Sequence, residues 1–134
     1  MNNANYNNIN VVCPEDCGNA PKKVVLKEFI IALAKKDISF ILENVSDDIL
    51  WNKIGCEKIE GKDHFAEALQ QINDSPVWEI QISNIITHGR SGAVNGTLLL
   101  EDNRKLEFCD VYMFTSAGKN SKIKEMTSYV IEIG

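Results

Sequence analysis

The sequence predicts an α+β domain in which three N-terminal helices pack against one side of a curved antiparallel sheet. Between residues 19 and 72, apolar residues recur at the three- and four-residue spacing of helices, and from Val77 onward they alternate at the two-residue spacing of strands. Turn signals at His88–Gly92, Asp102–Asn103 and Ala117–Asn120 divide this second part into four strands. Early helices followed by strands are typical of the α+β class.

Each helix has a recognisable start. Pro21 suits the first turn of the first helix, Asp37 caps a short second helix, and Gly61 precedes the third. A strand is predicted between the second and third helices, over residues 48–54. The apolar helix faces consist of Leu26, Phe29, Ile30 and Leu33; Ile38, Ile41, Leu42 and Val45; and Phe65, Ala68, Leu69 and Ile72.

Length and charge limit the classes of function. The 134 residues suffice for one domain with a single core, which we place at residues 19–134 after a polar arm of residues 1–18. A formal net charge of -5, without a Lys/Arg stripe, argues against nucleic acid as a partner. No apolar run approaches the roughly 20 residues that span a bilayer, and the Asn-rich start lacks the features of a secretory signal. We expect a cytoplasmic protein that binds neither nucleic acid nor membranes.

The four cysteines, Cys13, Cys17, Cys56 and Cys109, are expected to be free thiols in that reducing setting. Cys13 and Cys17 are closely spaced, but zinc needs further ligands and the chain offers only two histidines. The sequence also has no glycine-rich loop of the kind that holds phosphates. We therefore expect no metal and no cofactor.

Asp110 is the most informative candidate for a functional residue. It lies in a predicted strand with Leu106, Phe108, Tyr112 and Phe114 at two-residue spacing, so all five side chains share one face. An ionised carboxylate is costly to bury, so Asp110 is expected to be hydrogen-bonded, paired or protonated. We interpret this face as the floor of a pocket or as part of the core.

Turn lengths predict how the neighbouring strands align with Asp110. If Asp102–Asn103 is a two-residue hairpin loop, Asn95 lies opposite Asp110 and can hydrogen-bond it. The glycine-rich turn, counted similarly, aligns His88 with Ala93. The first long strand then gives the same face Trp78, Ile80, Ile82, Asn84, Ile86 and His88. A mostly apolar concavity with few polar groups is the usual composition of a small-molecule site.

The opposite, convex face of the sheet is predicted to be apolar on two strands. Its residues there are Val94, Leu98, Leu100, Val111 and Met113. Large exposed apolar patches usually mark contact sites, so we expect a homodimer through this face.

The order of two helices, a strand, a helix and four long strands resembles the nuclear transport factor 2-like superfamily, also called SnoaL-like, over residues 20–133. The run D-V-Y-M-F-T-S-A-G-K, which begins at Asp110, is similar to the strand of ketosteroid isomerases that carries an Asp, an aromatic-rich run and an A-G-K turn. A-K-K-D-I, S-D-D-I-L and I-E-G-K-D-H-F resemble the openings of other elements of that fold. The resemblance implies a cone-shaped α+β barrel.

The resemblance also implies roles for particular residues. In ketosteroid isomerases the matching Asp is protonated and donates to a developing oxyanion beside a helix-borne Tyr, while a second Asp moves the proton. Asp110 matches the first role. The Tyr position falls on Phe29, and the base position falls on Lys53 or Asn52, so steroid isomerase chemistry is not supported as such. Ser128, or Thr127 after a one-residue change in loop length, is implied to face the cavity.

Three hypotheses of function follow, of which the third is an interaction domain whose cavity is filled by its own side chains. The first is a protein that binds a small apolar or amphipathic molecule, with Asp110 and Asn95 fixing its polar end; the absence of the isomerase Tyr and Asp favours it. The second is an isomerase, dehydratase or hydrolase that uses Asp110 as general acid or oxyanion donor and His88 or Lys53 as base. The predicted ligand-binding residues are Phe29, Trp51, Trp78, Asn84, Asn95, Phe108, Asp110, Tyr112 and Ser128.

Overall fold

The computed structural model describes residues 2–6, 9–14, 20–72, 75–118 and 120–133. Within these ranges the chain forms three helices and one mixed sheet of eight strands, in the spatial order β1-β2-β5-β6-β7-β8-β3-β4. The strands are β1 (Asn2–Tyr6), β2 (Ile9–Cys13), β3 (Val45–Lys53), β4 (Glu57–Glu60), β5 (Val77–His88), β6 (Ser91–Leu100), β7 (Lys105–Phe114) and β8 (Ile123–Ile133). The helices are α1 (Pro21–Lys35), α2 (Ile38–Glu43) and α3 (Lys62–Gln71).

The helix boundaries follow the local chemistry that the sequence indicates. Pro21 occupies the first turn of α1, where its missing N–H costs no hydrogen bond. The helix ends at Lys36, which adopts the left-handed conformation. The side chain of Asp37 then accepts a hydrogen bond of 3.3 Å from the Phe40 amide and caps α2. The predicted α+β class, with helices on one side of a curved sheet, is confirmed.

Strands β5 to β8 form the predicted antiparallel meander, but the sheet as a whole is mixed. β3 pairs with β8 in the parallel direction, and β2 pairs with β5 in the same way. The strand predicted for residues 48–54 instead begins at Val45, and β4 was not predicted. β4 has only four residues, too few to show a clear alternation of apolar and polar side chains, so the sequence pattern does not predict it.

The N-terminal segment differs from the expected arm. Residues 2–6 and 9–13 form a hairpin, and β2 extends the sheet beside β5. Ile9, Val11 and Cys13 are buried in the core. Their two-residue spacing is a strand signal, which the many Asn residues around it obscure. Cys17 lies outside the described residues.

The alignment of β6 with β7 differs from the prediction by one residue, because the hairpin loop is longer than expected. Leu100, not Glu101, pairs with Arg104, and Asn103 closes the loop in the left-handed conformation with a φ of 72°. Such three-residue loops are the next most common after two-residue ones. Asp110 consequently lies opposite Val94, and Asn95 lies opposite Cys109 on the other face. The predicted Asn95–Asp110 contact is therefore wrong.

Strand β5 changes face along its length because the pairing with β6 is interrupted near Trp78 and near Ser83. Between the two irregularities, Ile80 and Ile82 point into the core as predicted. Beyond Ser83 the alternation is reversed: Asn84, Ile86 and His88 point outward, and Ile86 is 63% exposed. This bulge shifts the alternation by one residue and has no signal in the sequence. The predicted face is therefore wrong for the residues of β5 that follow it.

The two faces of the sheet have different environments. The concave face carries the core, on which α1 packs against β5 and β6 and α3 packs against β3 and β4. The convex face exposes a set of large apolar side chains on β5, β7 and β8, namely Ile86, Val111, Tyr129, Ile131 and Ile133. Val94, Leu98 and Leu100, predicted for the convex face, lie on the concave one because of the changed register. No helix within the described ranges is long and apolar enough to cross a bilayer.

Candidate functional site

A cavity of about 560 Å³ opens between the concave face of the sheet and the C-terminal ends of α1 and α3. Its walls are mainly apolar, with a few polar and charged side chains. The apolar residues are Ile30, Leu33, Ala34, Trp51, Ile54, Leu69, Ile72, Pro76, Val77, Leu98, Leu100, Leu106, Phe108 and Val130. The other lining residues are Lys35, Lys36, Lys53, Cys56, Ser75, Asp110 and Ser128.

The polar groups that the sheet contributes to the cavity come from three adjacent strands. Lys53 on β3 pairs with Ser128 on β8, and Ser128 pairs with Asp110 on β7. Residues that are paired across neighbouring strands project to the same side of a sheet. The register therefore places an amine, a hydroxyl and a carboxyl in one row on the concave face.

Hydrogen bonds connect this row to the wall of the cavity. The indole Nε1 of Trp51 donates to the hydroxyl oxygen of Ser128 at 2.9 Å. The Ser128 hydroxyl is in turn hydrogen-bonded to Asp110. The phenol of Tyr112 donates to Oδ2 of Asp110 at 3.2 Å. Asp110 is thus 6% exposed, lines the cavity and has two hydroxyl partners.

Burial dominates the acidity of Asp110. Removal from water raises the pKa of the carboxyl from 3.8 to about 6, although the hydrogen bonds from Ser128 and Tyr112 favour the charged form and oppose this rise. Burial, with the nearby Asp110 carboxylate, also raises the pKa of Tyr112 well above its ordinary value. Tyr112 therefore stays a neutral hydrogen-bond donor, while Asp110 can change its protonation state near neutral pH.

Two aromatic side chains support Asp110 from behind. Tyr112 is 1% exposed, and its ring meets Phe29 of α1 edge to face, with centroids 5.9 Å apart. Neither residue lines the cavity. Phe29, which the resemblance aligns with the Tyr of ketosteroid isomerases, is thus a core residue that packs against Tyr112.

Trp51 links the charged and apolar parts of the site. It is buried in the wall, and its ring contacts Phe65 of α3 at a centroid distance of 5.3 Å. The Nζ of Lys53 lies 4.9 Å from the Trp51 ring centroid. A cation over an indole face is attracted by the electrons of the ring, so this contact holds the ammonium group at the cavity.

The structure brings together five of the residues that the sequence singled out. Trp51, Lys53, Phe108, Asp110 and Ser128 all line the cavity, and Thr127 faces the other way, opposite Val111.

The remaining predicted residues lie elsewhere. Phe29 and Tyr112 are buried behind the floor, whereas Asn84 and Asn95 hydrogen-bond each other on the convex face at 3.0 Å. His88 is exposed at the far end of β5 and contributes no base to this cavity. Trp78 is 45% exposed and sits at the irregular start of β5.

Several lining residues were not predicted. Lys35 and Lys36 reach the mouth from the end of α1, and Leu98 and Leu100 enter through the changed register of β6. The two lysines follow the apolar face of α1 directly in the sequence. They are recognised as part of a site only because α1 packs above the sheet, and the amino-acid sequence alone does not show this packing.

Comparison with known proteins identifies the fold of the chain but not its activity. No family model matches the chain, and no curated protein matches it in sequence. Solved structures do match. A nuclear transport factor 2-like protein of unknown function from Burkholderia xenovorans is similar with a TM-score of 0.68 and 17% identity, over 82% of each chain.

Two further matches carry the names of enzymes. A provisionally assigned ketosteroid isomerase from Kribbella flavida is similar with a TM-score of 0.69 and 15% identity, over 85% of this chain and 80% of that one. A provisionally assigned SnoaL-like polyketide cyclase from Shewanella denitrificans has a TM-score of 0.66 and 15% identity, over 83% and 90%. The chain therefore has the nuclear transport factor 2-like fold, as its sequence predicts.

Proposed function

We propose that this protein binds a small apolar or amphipathic molecule in the cavity, with Asp110 as the polar anchor at its floor. The observation that carries the proposal is a buried carboxyl that lines an open cavity of about 560 Å³ with otherwise mostly apolar walls. This volume lies within the usual range of ligand sites. A cavity that served only packing would be filled by side chains, since protein interiors are close-packed.

The polar groups are placed to orient such a ligand. Ser128 accepts a hydrogen bond from Trp51, so its single proton is available to Asp110. With Ser128 and Tyr112 both directed at it, the carboxyl is held in one orientation. A ligand hydroxyl can donate to Asp110 when it is ionised, and a ligand carbonyl can accept from it when it is protonated.

A cavity-filling substitution tests the proposal. Leu98 lines the cavity, whereas its neighbour Leu99 does not. Titration with the neutral apolar dye Nile red is expected to give saturable binding at one site in the wild type, with binding lost in Leu98→Trp and retained in Leu99→Trp. Circular dichroism checks that both variants fold. Equal dye binding by the two folded variants would place the dye elsewhere and refute the proposal.

A second candidate function is acid–base catalysis, and it is favoured by the acidity of Asp110. A carboxyl whose pKa is raised to about 6 can hold a proton and release it near neutral pH, as a general acid requires. Names of enzymes among the structural neighbours support a catalytic role. The candidate reactions are isomerisation, dehydration and hydrolysis.

An activity assay with probe substrates distinguishes the two candidate functions, ligand binding and acid–base catalysis. The protein is incubated with a β,γ-unsaturated ketone and with an apolar epoxide, and the products are measured by chromatography. Turnover that is abolished in Asp110→Asn, while Nile red still binds, would support the enzyme. Dye binding without turnover of either probe would favour the binding protein.

We further propose that two copies associate through the convex face and that the protein acts in the cytoplasm. The exposed apolar side chains of Ile86, Val111, Tyr129 and Ile131 support the first part, since a monomer rarely leaves such a patch open to water. Cys13, Cys56 and Cys109 are free thiols, which suits a reducing compartment.

A further inference from the structure

We propose that the ligand of the cavity is an apolar organic acid whose anionic group binds to lysines at the mouth while its body fills the interior. This inference rests on the proposed ligand-binding function and names the chemical class of the ligand.

The distribution of charge around the cavity is opposite to that of the whole chain. The chain has 19 acidic and 14 basic residues, which gives a formal net charge of -5. Among the described residues, however, the cavity lining contains three lysines and a single carboxyl, the buried Asp110. An acidic protein that collects cations around one opening is electrostatically complementary to an anion there.

The lysines approach from two sides. Lys35 and Lys36 belong to the end of α1 in the helix layer, and Lys53 belongs to the end of β3 in the sheet. A ligand that enters between the layers therefore meets positive charge on both walls. Apolar side chains such as Ile30, Leu33 and Phe108 line the same cavity.

The ammonium groups have no acidic partner in the described part of the chain. The Nζ of Lys36 donates to the carbonyl oxygen of Ile72 at the end of α3, and that of Lys53 lies over the Trp51 ring. Neither contact neutralises the charge, and Lys35 forms no ion pair among the described residues. Lys35 and Lys53 are half-buried. A partly buried cation without a counter-ion is stabilised by an anionic ligand.

The position of Asp110 determines the orientation of the ligand. Asp110 and Lys53 are two strands apart in the same row, which corresponds to about 10 Å between their Cα atoms. A ligand carboxylate is attracted to Lys53 and repelled by ionised Asp110, so it stays at the mouth. The floor then receives an uncharged part of the ligand, such as a hydroxyl or a carbonyl.

Three probes that share a ten-carbon chain and differ in the head group test this inference: decanoate, decanol and decyltrimethylammonium. Binding is measured by isothermal titration calorimetry. We expect decanoate to bind at least tenfold more tightly than decanol, and decyltrimethylammonium to bind more weakly than either. The preference for decanoate should decrease as salt is added, because ions screen the lysine charges.

Lysine variants assign the preference to particular residues. Lys53→Met keeps the apolar stem and removes the charge, so decanoate affinity should fall roughly tenfold while decanol affinity is unchanged. Lys35→Met is a second variant, at a helix position that tolerates Met. Lys58→Met is the matched control, since Lys58 is exposed on β4 and lies outside the lining. Circular dichroism checks the fold of each variant.

The outcomes separate this inference from the function on which it rests. Decanol that binds as tightly as decanoate, or a decanoate affinity that Lys53→Met and Lys35→Met leave unchanged, would overturn the choice of an organic acid and leave the ligand-binding function standing. Failure of all three probes and of Nile red to bind would overturn both.

Discussion

The indole of Trp51 determines the direction of the hydrogen bond that reaches Asp110. Its Nε1 can only donate, and it donates to the Ser128 oxygen at 2.9 Å. The single Ser128 proton is then directed to the Asp110 carboxyl. Three neighbouring strands of the sheet, β3, β8 and β7, thereby hold one carboxyl at the floor of an apolar cavity. The acidity of Asp110 therefore depends on residues that do not themselves titrate.

Ser128→Ala is expected to raise the pKa of Asp110 above about 6. The substitution removes a hydrogen bond that stabilises the carboxylate, and burial, which opposes ionisation, remains. It also leaves the Trp51 indole N–H without its partner, so the free energy of unfolding should fall by about 1 to 3 kcal/mol. Carbon-13 NMR of the side-chain carboxyl measures the pKa, and urea denaturation measures the stability.

Thr127→Ala is the control for this substitution, because Thr127 is adjacent in sequence and faces the convex side. It should leave the pKa of Asp110 where it is in the wild type. An equal shift in both variants would mean that the hydrogen bond from Ser128 has no specific effect on Asp110.

Asp110→Asn is expected to change the dependence of stability on pH. Because the pKa of Asp110 is raised from 3.8 to about 6 in the folded protein, the native state binds the proton more tightly than the unfolded chain does. The wild type therefore loses stability as the pH rises from about 4 to above 6. Asn does not titrate, so the stability of the variant relative to the wild type should rise by on the order of 2 to 3 kcal/mol between about pH 4 and pH 8.

Urea denaturation of both proteins at the two pH values gives this difference. A constant difference across the range would show that Asp110 titrates alike in the folded and unfolded chains, in conflict with its burial. A variant that folds at both pH values also provides the material for the ligand and activity measurements.

The helices and the class of fold could be predicted from the sequence because their signals are local. Pro21, Asp37 and Gly61 each mark a helix start through their own chemistry. The strand order could be predicted only through the resemblance to known folds. The pairing of β3 with β8 joins segments some 75 residues apart, and such pairings leave no local signal.

The candidate site was only half predictable, because it depends on register. Alternation within β7 put Asp110 and Phe108 on the face that lines the cavity. The resemblance to known folds left Ser128 and Thr127 open for the last strand, and Ser128 is the one that lines the cavity. Asn95 was misplaced by one additional residue in a loop, and Asn84 and His88 by one bulge in β5. Each error reverses a whole strand segment, since side chains alternate between faces. Lys35 was missed because helix packing, rather than sequence pattern, brings it to the cavity.

Val111→Asp is expected to convert the proposed dimer into a monomer. Val111 is 43% exposed on the convex face, and the substitution places a charge in the middle of the apolar patch. Val24→Asp is the matched control, because Val24 is similarly exposed, at 38%, but lies on α1. Sedimentation velocity at micromolar concentration should show a dimer for the wild type and the control and a monomer for Val111→Asp. A monomeric wild type would refute the dimer.

Gly96→Ala is expected to destabilise the protein more than any single hydrogen bond discussed above. A Cβ at this position would overlap the backbone oxygen of Gln81, so β5 and β6 would have to separate next to the irregularity at Ser83. Because backbone cannot rotate away as a side chain can, the free energy of unfolding should fall by about 3 kcal/mol or more. Gly118→Ala is the control, since the nearest atom to a Cβ there is a Ser116 hydroxyl at 3.5 Å. Thermal denaturation of both variants measures the loss of stability. An equal, small loss in both variants would mean that β5 and β6 can separate at Gly96 at little cost, which would contradict the prediction.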